Sequence, residues 1–347
     1  MTKLVQVDSE RPGGTAETTT PPVPRPRARL MQRLGLERYA LVGVWLLLIL
    51  GFGLLRPDTF LTAGNFQTIL GSQAVQAVIA LALLLPLMTG DYDLSVAGTA
   101  SLSAMTLTIL NVNHGVPIVP AILVALAVGL AVGAVNGLLT ALIGLDSFII
   151  TLAMGTLLAG IVSWISNDLT ISGVDQALVN AMIVDRFLGI PAEFFYGVAV
   201  CVLLWYLFEF TPLGRRLLYV GRSREVARLS GIRVSRLRAG AFVGSGLISA
   251  LAGVMYAGTL AGANPTSGAS LLLPAFAAVF LGATCIAPGR FNPWGTLIAV
   301  YFLVTGITGL QLLGAQSYVQ DLFSGGALIV AVTISLIVRR RAGAVRA

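Results

Sequence analysis

The sequence is poor in the side chains that most enzyme chemistry draws on. Lysine occurs once, at Lys3, and histidine once, at His114. A phosphate-gripping P-loop sets a lysine in a Gly-rich turn, so this chain hydrolyses no ATP by that route. One histidine, in the short polar stretch NVNHG, makes no histidine cluster for a metal. The two cysteines, Cys201 and Cys285, sit in or beside apolar runs without CxxC spacing, so they read as small buried hydrophobes. No cofactor is expected. Charge is scarce as well: 11% of residues are charged, against roughly a quarter in soluble domains. That excludes an ordinary soluble domain. The net charge of +7 does not point to nucleic acid, because the basic residues stand in a few blocks between apolar runs instead of forming a face.

Apolar sequence is what the chain has in excess, at 56% hydrophobic residues and a mean hydropathy of +0.88. A helix needs about 20 apolar residues to cross a bilayer. The runs that approach this are 40–56, 66–89, 93–112, 117–142, 147–166, 194–210, 239–262, 270–287, 293–313 and 319–338. The predicted fold class is an all-α integral membrane protein with about ten transmembrane helices, since only closed backbone hydrogen bonding survives in lipid. Residues 1–38, dense in Pro, Thr and Arg, are expected to be a disordered cytoplasmic tail. Residues 39–338 form the expected membrane domain, and 339–347 a second cytoplasmic tail. No apolar stretch starts near Met1, so no cleaved signal peptide is expected.

Orientation follows from the basic residues. With the N-terminus inside, the inner segments are 1–39, 90–92, 143–146, 211–238, 288–292 and 339–347, and they hold twenty of the 22 Lys and Arg residues. Only Arg56 and Arg186 fall outside, where the loops instead carry Asp58, Asp168, Asp175, Asp185, Glu193 and Asp321. The positive-inside rule therefore predicts a multi-pass chain with both termini cytoplasmic. Contact with membrane lipid follows.

Glycine recurs every four residues at Gly129, Gly133 and Gly137, and again at Gly240 and Gly244. Such stripes let helix backbones approach closely. Asn136, beside the first stripe, either bonds across it or faces a solute path.

Two stretches carry more than packing. In the inner loop 211–238, Ser223 is placed to cap a helix of about two turns, and Gly231 to end it in a left-handed position with Ile232 making the apolar contact. Val226 and Leu229 share one face, while Arg224, Glu225 and Arg228 point elsewhere. This is a shape for docking in a partner's groove, or else an arginine-rich loop that fixes topology and touches anionic lipid. The second stretch is GDYDLS, residues 90–95. A charge at bilayer depth is costly, yet Asp91 and Asp93 stand here two residues apart. Asp93 is expected to cap the following helix at its positive dipole end, or to face a solute pathway. Arg290 is a candidate charge partner. The same acids also fit an ion-coupled secondary transporter of a small polar solute, together with Asp146, or a Mg²⁺ site in an integral-membrane polyprenyl-phosphate enzyme.

Four blocks in order bear a resemblance: GDYDLSVAGTASLSA, NGLLTALIGLDSFIITLAMGTLLAG, TPLGRRLLYVGRSREVARLSGIRV and LGATCIAPGRFNPWGTLIA. They resemble the ribose/xylose-type permeases of bacterial ABC importers across about residues 60 to 338. Asp91 stands where that family usually has glycine, Ser147 where it has proline, and Ala287 and Pro288 where it has a glycine pair. The resemblance implies a permease of the bacterial inner membrane that is itself no enzyme. It would work as a pair of permease copies, with separate cytoplasmic ABC ATPase subunits and a periplasmic or lipoprotein solute-binding protein. It implies a small carbohydrate as solute: a pentose, hexose or sugar alcohol. The loop residues Ser223, Glu225, Val226, Arg228, Leu229, Gly231 and Ile232 would then couple to the ATPase. Asp91, Tyr92, Asp93, Ser95, Asn136, Phe148 and Thr151 become candidates for the solute pathway.

Overall fold

The computed structural model describes residues 36–344, with side chains over 38–333. The expected disordered tail falls almost wholly outside the described residues, and only its last three residues are seen, inside the first helix. That helix, α1, spans Leu36–Leu55 and is followed by a single turn, α2 (Pro57–Phe60). Then come α3 (Ala63–Ser72), α4 (Ala74–Met88), α5 (Val96–Thr108), α6 (Ile118–Gly137) and α7 (Ser147–Ser166). The short α8 (Gln176–Val179) precedes α9 (Ala192–Phe210), α10 (Pro212–Arg222), α11 (Arg224–Leu229) and α12 (Val234–Thr259). The series ends with α13 (Ser267–Gly282), α14 (Pro293–Leu312) and α15 (Tyr318–Ala344). Helix α15 thus runs through most of the stretch 339–347 expected to be a tail.

Among the described residues, 7 helices are long and apolar enough to cross a membrane, while α13 and the described part of α15 are apolar but shorter. Helix α5 has 13 residues and is extended by a π turn, Ile109–Asn113. Among the described residues strand content is confined to two small antiparallel ladders. Ile171–Ser172 (β1) pairs with Gly262–Ala263 (β4), and Arg186–Phe187 (β2) with Ile190–Pro191 (β3). These two-residue strands are a small departure from the all-α expectation.

Helix α4, AVQAVIALALLLPLM, is the centre, and all 15 of its residues are buried. A helix apolar all round has no solvent face to keep, so neighbours close on it from every side. Helices α12, α13, α9 and α14 pack against it.

The tightest seam joins α12 to α6. A Cβ added at Gly129 would strike the Gly246 carbonyl, and one at Gly133 the Phe242 carbonyl. In lipid, where apolar side chains gain little by leaving one membrane-like medium for another, this backbone approach is a main source of helix association. The stripe 129–133–137 thus lies on a seam as expected. Gly246, not Gly240 or Gly244, meets it; Gly240 has open space around it and Gly244 faces Leu85.

Helix α12 also begins five residues before the expected 239, at Val234. Its first turns are polar because Arg236 and Arg238 sit on them, which hides a helix from a reading by apolar runs.

Candidate functional site

The site is built around the gap between α4 and α5. Pro86, lacking an N–H, ends the regular ladder of α4. Its carbonyl then collects the Thr89 and Asp91 N–H groups at 2.9 and 3.0 Å and the Thr89 hydroxyl at 2.8 Å. Gly90 turns through a positive φ of 77°. The chain leaves the turn with Asp91 and Asp93 both buried, at 1% and 2% exposure. They go to different partners.

Asp91 receives a fork from Arg238: Nε donates to Oδ2 at 2.8 Å and Nη2 to Oδ1 at 2.7 Å. Arg224 Nη2 donates to Oδ1 at 2.8 Å, and the Thr89 hydroxyl, whose one proton is shared with the Pro86 carbonyl, lies 3.0 Å from Oδ2. This corrects the expected pairing with Arg290, which instead lies 3.7 Å from Glu209. The two arginines that win come from the loop 211–238. A fork of two parallel N–H···O bonds is a stronger grip than a single contact.

Asp93 has no cation within ion-pair reach among the described residues. Its Oδ1 accepts from the Ser95 N–H at 3.1 Å and the Ser95 hydroxyl at 2.6 Å, and its Oδ2 from the Ser245 hydroxyl at 2.8 Å. Asn136 Nδ2 donates to Ser95 Oγ at 2.8 Å, so its bond runs from α6 to the start of α5 and not across the glycine stripe, which faces α12. The expectation that Asp93 is the N-cap is therefore corrected. The residue in the cap position is Ser95, whose side chain caps nothing, and Asp93, two residues earlier, makes a tight turn by taking Ser95's own N–H. Short acidic side chains favour this local bond.

The other wall is α7, capped by Asp146, which accepts from the Ile149 N–H at 3.0 Å. Tyr92 N–H donates to Ser147 Oγ at 3.2 Å, and Leu94 N–H to Thr151 Oγ1 at 3.0 Å. The Tyr92 and Phe148 rings meet edge-on, 6.4 Å apart.

The seven pathway candidates thus come together, and then divide. Asp93, Ser95, Asn136 and Thr151 are buried knots holding α5, α6, α7 and α12 around the gap. Asp91, Tyr92 and Phe148 reach a cavity of about 950 Å³, whose opposite side is apolar, with Phe276 and Phe280 of α13. Drug-sized ligands occupy pockets of about 300–1,000 Å³, so the volume suits a small solute. Tyr92 is 41% exposed and Phe148 50%, and both line it. Sequence reasoning missed Ser245, Arg224 and Arg238 as members of the site. Arg224 and Arg238 are 133 and 147 residues from Asp91, and no local pattern joins them.

The loop helix α11 is held at both ends as its sequence predicts. Ser223 Oγ accepts from the Val226 N–H at 3.3 Å. At the other end Gly231 has φ of 78°, its N–H bonds Arg228 O at 3.0 Å, and the Ile232 N–H bonds Ala227 O at 3.1 Å. That pair of bonds is a Schellman ending. Val226 and Leu229 stand 58% and 81% exposed, with Ala227 turned inward.

Comparison with known proteins places this geometry. Residues 65–332 match the family described as branched-chain amino acid transport system / permease component. The chain is 37% identical over 306 residues to the ribose import permease protein RbsC of Bacillus subtilis, covering 88% of this chain and 93% of that one. It is 29% identical over 304 residues to the D-allose transport system permease protein AlsC of Escherichia coli, covering 88% and 93%. With the fructose import permease protein FrcC of Rhizobium meliloti it shares 31% over 306 residues, covering 86% and 84%. No solved structure matches it.

Proposed function

Because the chain belongs to the branched-chain amino acid transport system / permease component family, we propose that it is the membrane-spanning subunit of an ABC importer for a small carbohydrate. The observation that carries this is the likeness along nearly the whole chain to a ribose import permease, with allose and fructose permeases beside it. The family's description names amino acids, but these relatives carry sugars, and a pentose, hexose or sugar alcohol is the solute class we assign. The cavity supports it: aromatic rings stack on the apolar faces of sugars, and Tyr92 and Phe148 line one wall.

A permease component is no enzyme. Its motor is a separate cytoplasmic ABC ATPase, and α11 is the element of this chain best shaped to meet one. Two capped ends hold Val226 and Leu229 outward, giving an apolar pair on an otherwise basic loop. A solute-binding protein delivers the sugar, and a second copy of the chain completes the pathway. In the bacterial inner membrane the seven long helices and the shorter α5, α13 and α15 give about ten crossings, with both termini cytoplasmic. Arginines sorted to one side support that orientation.

The test is uptake into proteoliposomes. The chain is reconstituted with its ATPase and binding protein, and labelled ribose, allose and fructose are supplied outside. ATP-dependent entry of at least one sugar is expected. Entry that proceeds without ATP and follows an ion gradient contradicts the reading.

A further inference from the structure

Asp91 has a place in this machinery that the likeness to sugar permeases does not supply. Its carboxylate faces the cavity side of the gap, yet every oxygen is already engaged by Arg238, Arg224 and Thr89. A saturated carboxylate has little left to offer a solute. What it does instead is join two elements. The arms of the joint differ. Arg238 is 12% exposed, forks onto both oxygens, and belongs to α12, which is pinned along its length by α6, α5 and α4. Arg224 is 45% exposed, makes one contact to the carboxylate, and is the first residue of α11. Asp91 therefore sits between a fixed arm and one that can travel with the loop helix.

The rest of the linkage has no slack. Arg224 Nη2 also donates to Gly90 O at 3.1 Å, so it holds the turn as well as the acid. The end of α10 presses on the end of α4, where a Cβ at Gly221 would strike the Met88 carbonyl. Beyond Asp91, the next residue is Tyr92, which faces the cavity and is tied to α7 through Ser147 Oγ at 3.2 Å. Displacing α11 by an ångström must either break the Arg224 contacts or carry residues 90–92 with it.

We propose that Asp91 is a positioning residue that transmits movement of the loop helix α11 to Tyr92 at the wall of the solute cavity. This rests on the permease reading and deepens it. A static ion pair would only hold the fold. A transmitting one links the rate of transport, and not the affinity for solute, to the integrity of the Arg224 contact.

The test uses the complete complex in proteoliposomes with labelled ribose, allose and fructose, measuring uptake and ATP hydrolysis together. Arg224→Gln leaves Asp91 paired with Arg238, so folding is kept. It should lower the maximal uptake rate about fivefold while the KM for the sugar stays within about twofold, the signature of a lost step and not of lost binding. Sugar carried per ATP should fall by about threefold, because hydrolysis continues with the transmission slipping. Arg224→Lys, which keeps a cation there, should recover part of the loss. Asp91→Asn, which weakens both arms, should lower uptake by about tenfold, again at unchanged KM. An Arg224→Gln complex with wild-type sugar per ATP overturns the proposal, as does a raised KM at unchanged maximal rate, which would give these residues to the solute. A wild-type complex whose sugar entry proceeds without ATP and follows an ion gradient overturns the permease reading itself, and is told apart by failing before any variant is made.

Discussion

The two ends of one short gap are held by opposite means. At Asp91 a carboxylate meets two guanidinium groups, one from the loop helix α11 and one from the first turns of α12, both more than a hundred residues away, and the Arg224 side is still partly wet. At Asp93 a carboxylate lies in a dry nest of hydroxyls and one backbone N–H. The difference separates a joint from a knot. Charge-assisted bonds reach across elements and can be remade as one arm shifts. A nest of neutral donors holds four helices in one arrangement and gains nothing from movement. Two acids two residues apart thus serve different ends, and chemistry alone tells them apart.

The largest effect should come from stripping the joint. Asp91→Leu leaves two guanidinium groups facing each other without a counter-charge. We expect about 3 kcal/mol of lost stability, the low end for a broken buried pair because Arg224 is already half in water. Thermal unfolding of the purified chain measures it, and adding Arg238→Leu to that variant should recover part of the loss, since the worst uncompensated charge is then gone. At the knot, Asp93→Ala should cost about 2 kcal/mol, because three donors lose their acceptor. Asp93→Asn should cost less than about 1 kcal/mol, since an oxygen remains and the Ser245 hydroxyl can turn to accept. If Asn and Ala behaved alike at 93, the charge would matter there and the contrast with Asp91 would weaken. Away from the gap, Ser223→Ala should cost about 1 kcal/mol through loss of the α11 cap. Smallest in stability is Leu229→Arg, within about 0.5 kcal/mol at so exposed a position. Yet it should abolish ATP-driven uptake and co-elution with the ATPase, which gel filtration of the complex reads directly.

Much of this was legible in the sequence, and for local reasons. Apolar runs located the seven helices long and apolar enough to cross a bilayer, since such lengths are set by the bilayer and not by partners. The caps of α11 were legible because Ser223, Gly231 and Ile232 bond within their own turn. The gap itself was visible as GDYDLS. The reading failed where the answer lay in another part of the chain. Arg290 looked a fair partner for Asp91, but Arg224 and Arg238 win by a packing of α12 on α4 that no spacing encodes. The spacing of Gly240 and Gly244 likewise names no partner, and it is Gly246 that the phase of α12 turns to the seam. Asp93 looked like a cap because the type of the residue was right; the helix begins two residues too late for it.

The central claim is that Asp91 joins the loop to the gap while Asp93 does not. A double-mutant cycle on Asp91→Asn and Arg224→Gln, read as ATP-driven sugar uptake at matched thermal stability, tests it most directly. The account predicts strong non-additivity: once Asp91 is neutral, Arg224→Gln should lower uptake hardly further, whereas in an Asp93→Asn background it should still lower it about fivefold. Full additivity with Asp91, or equal coupling to both acids, would contradict it.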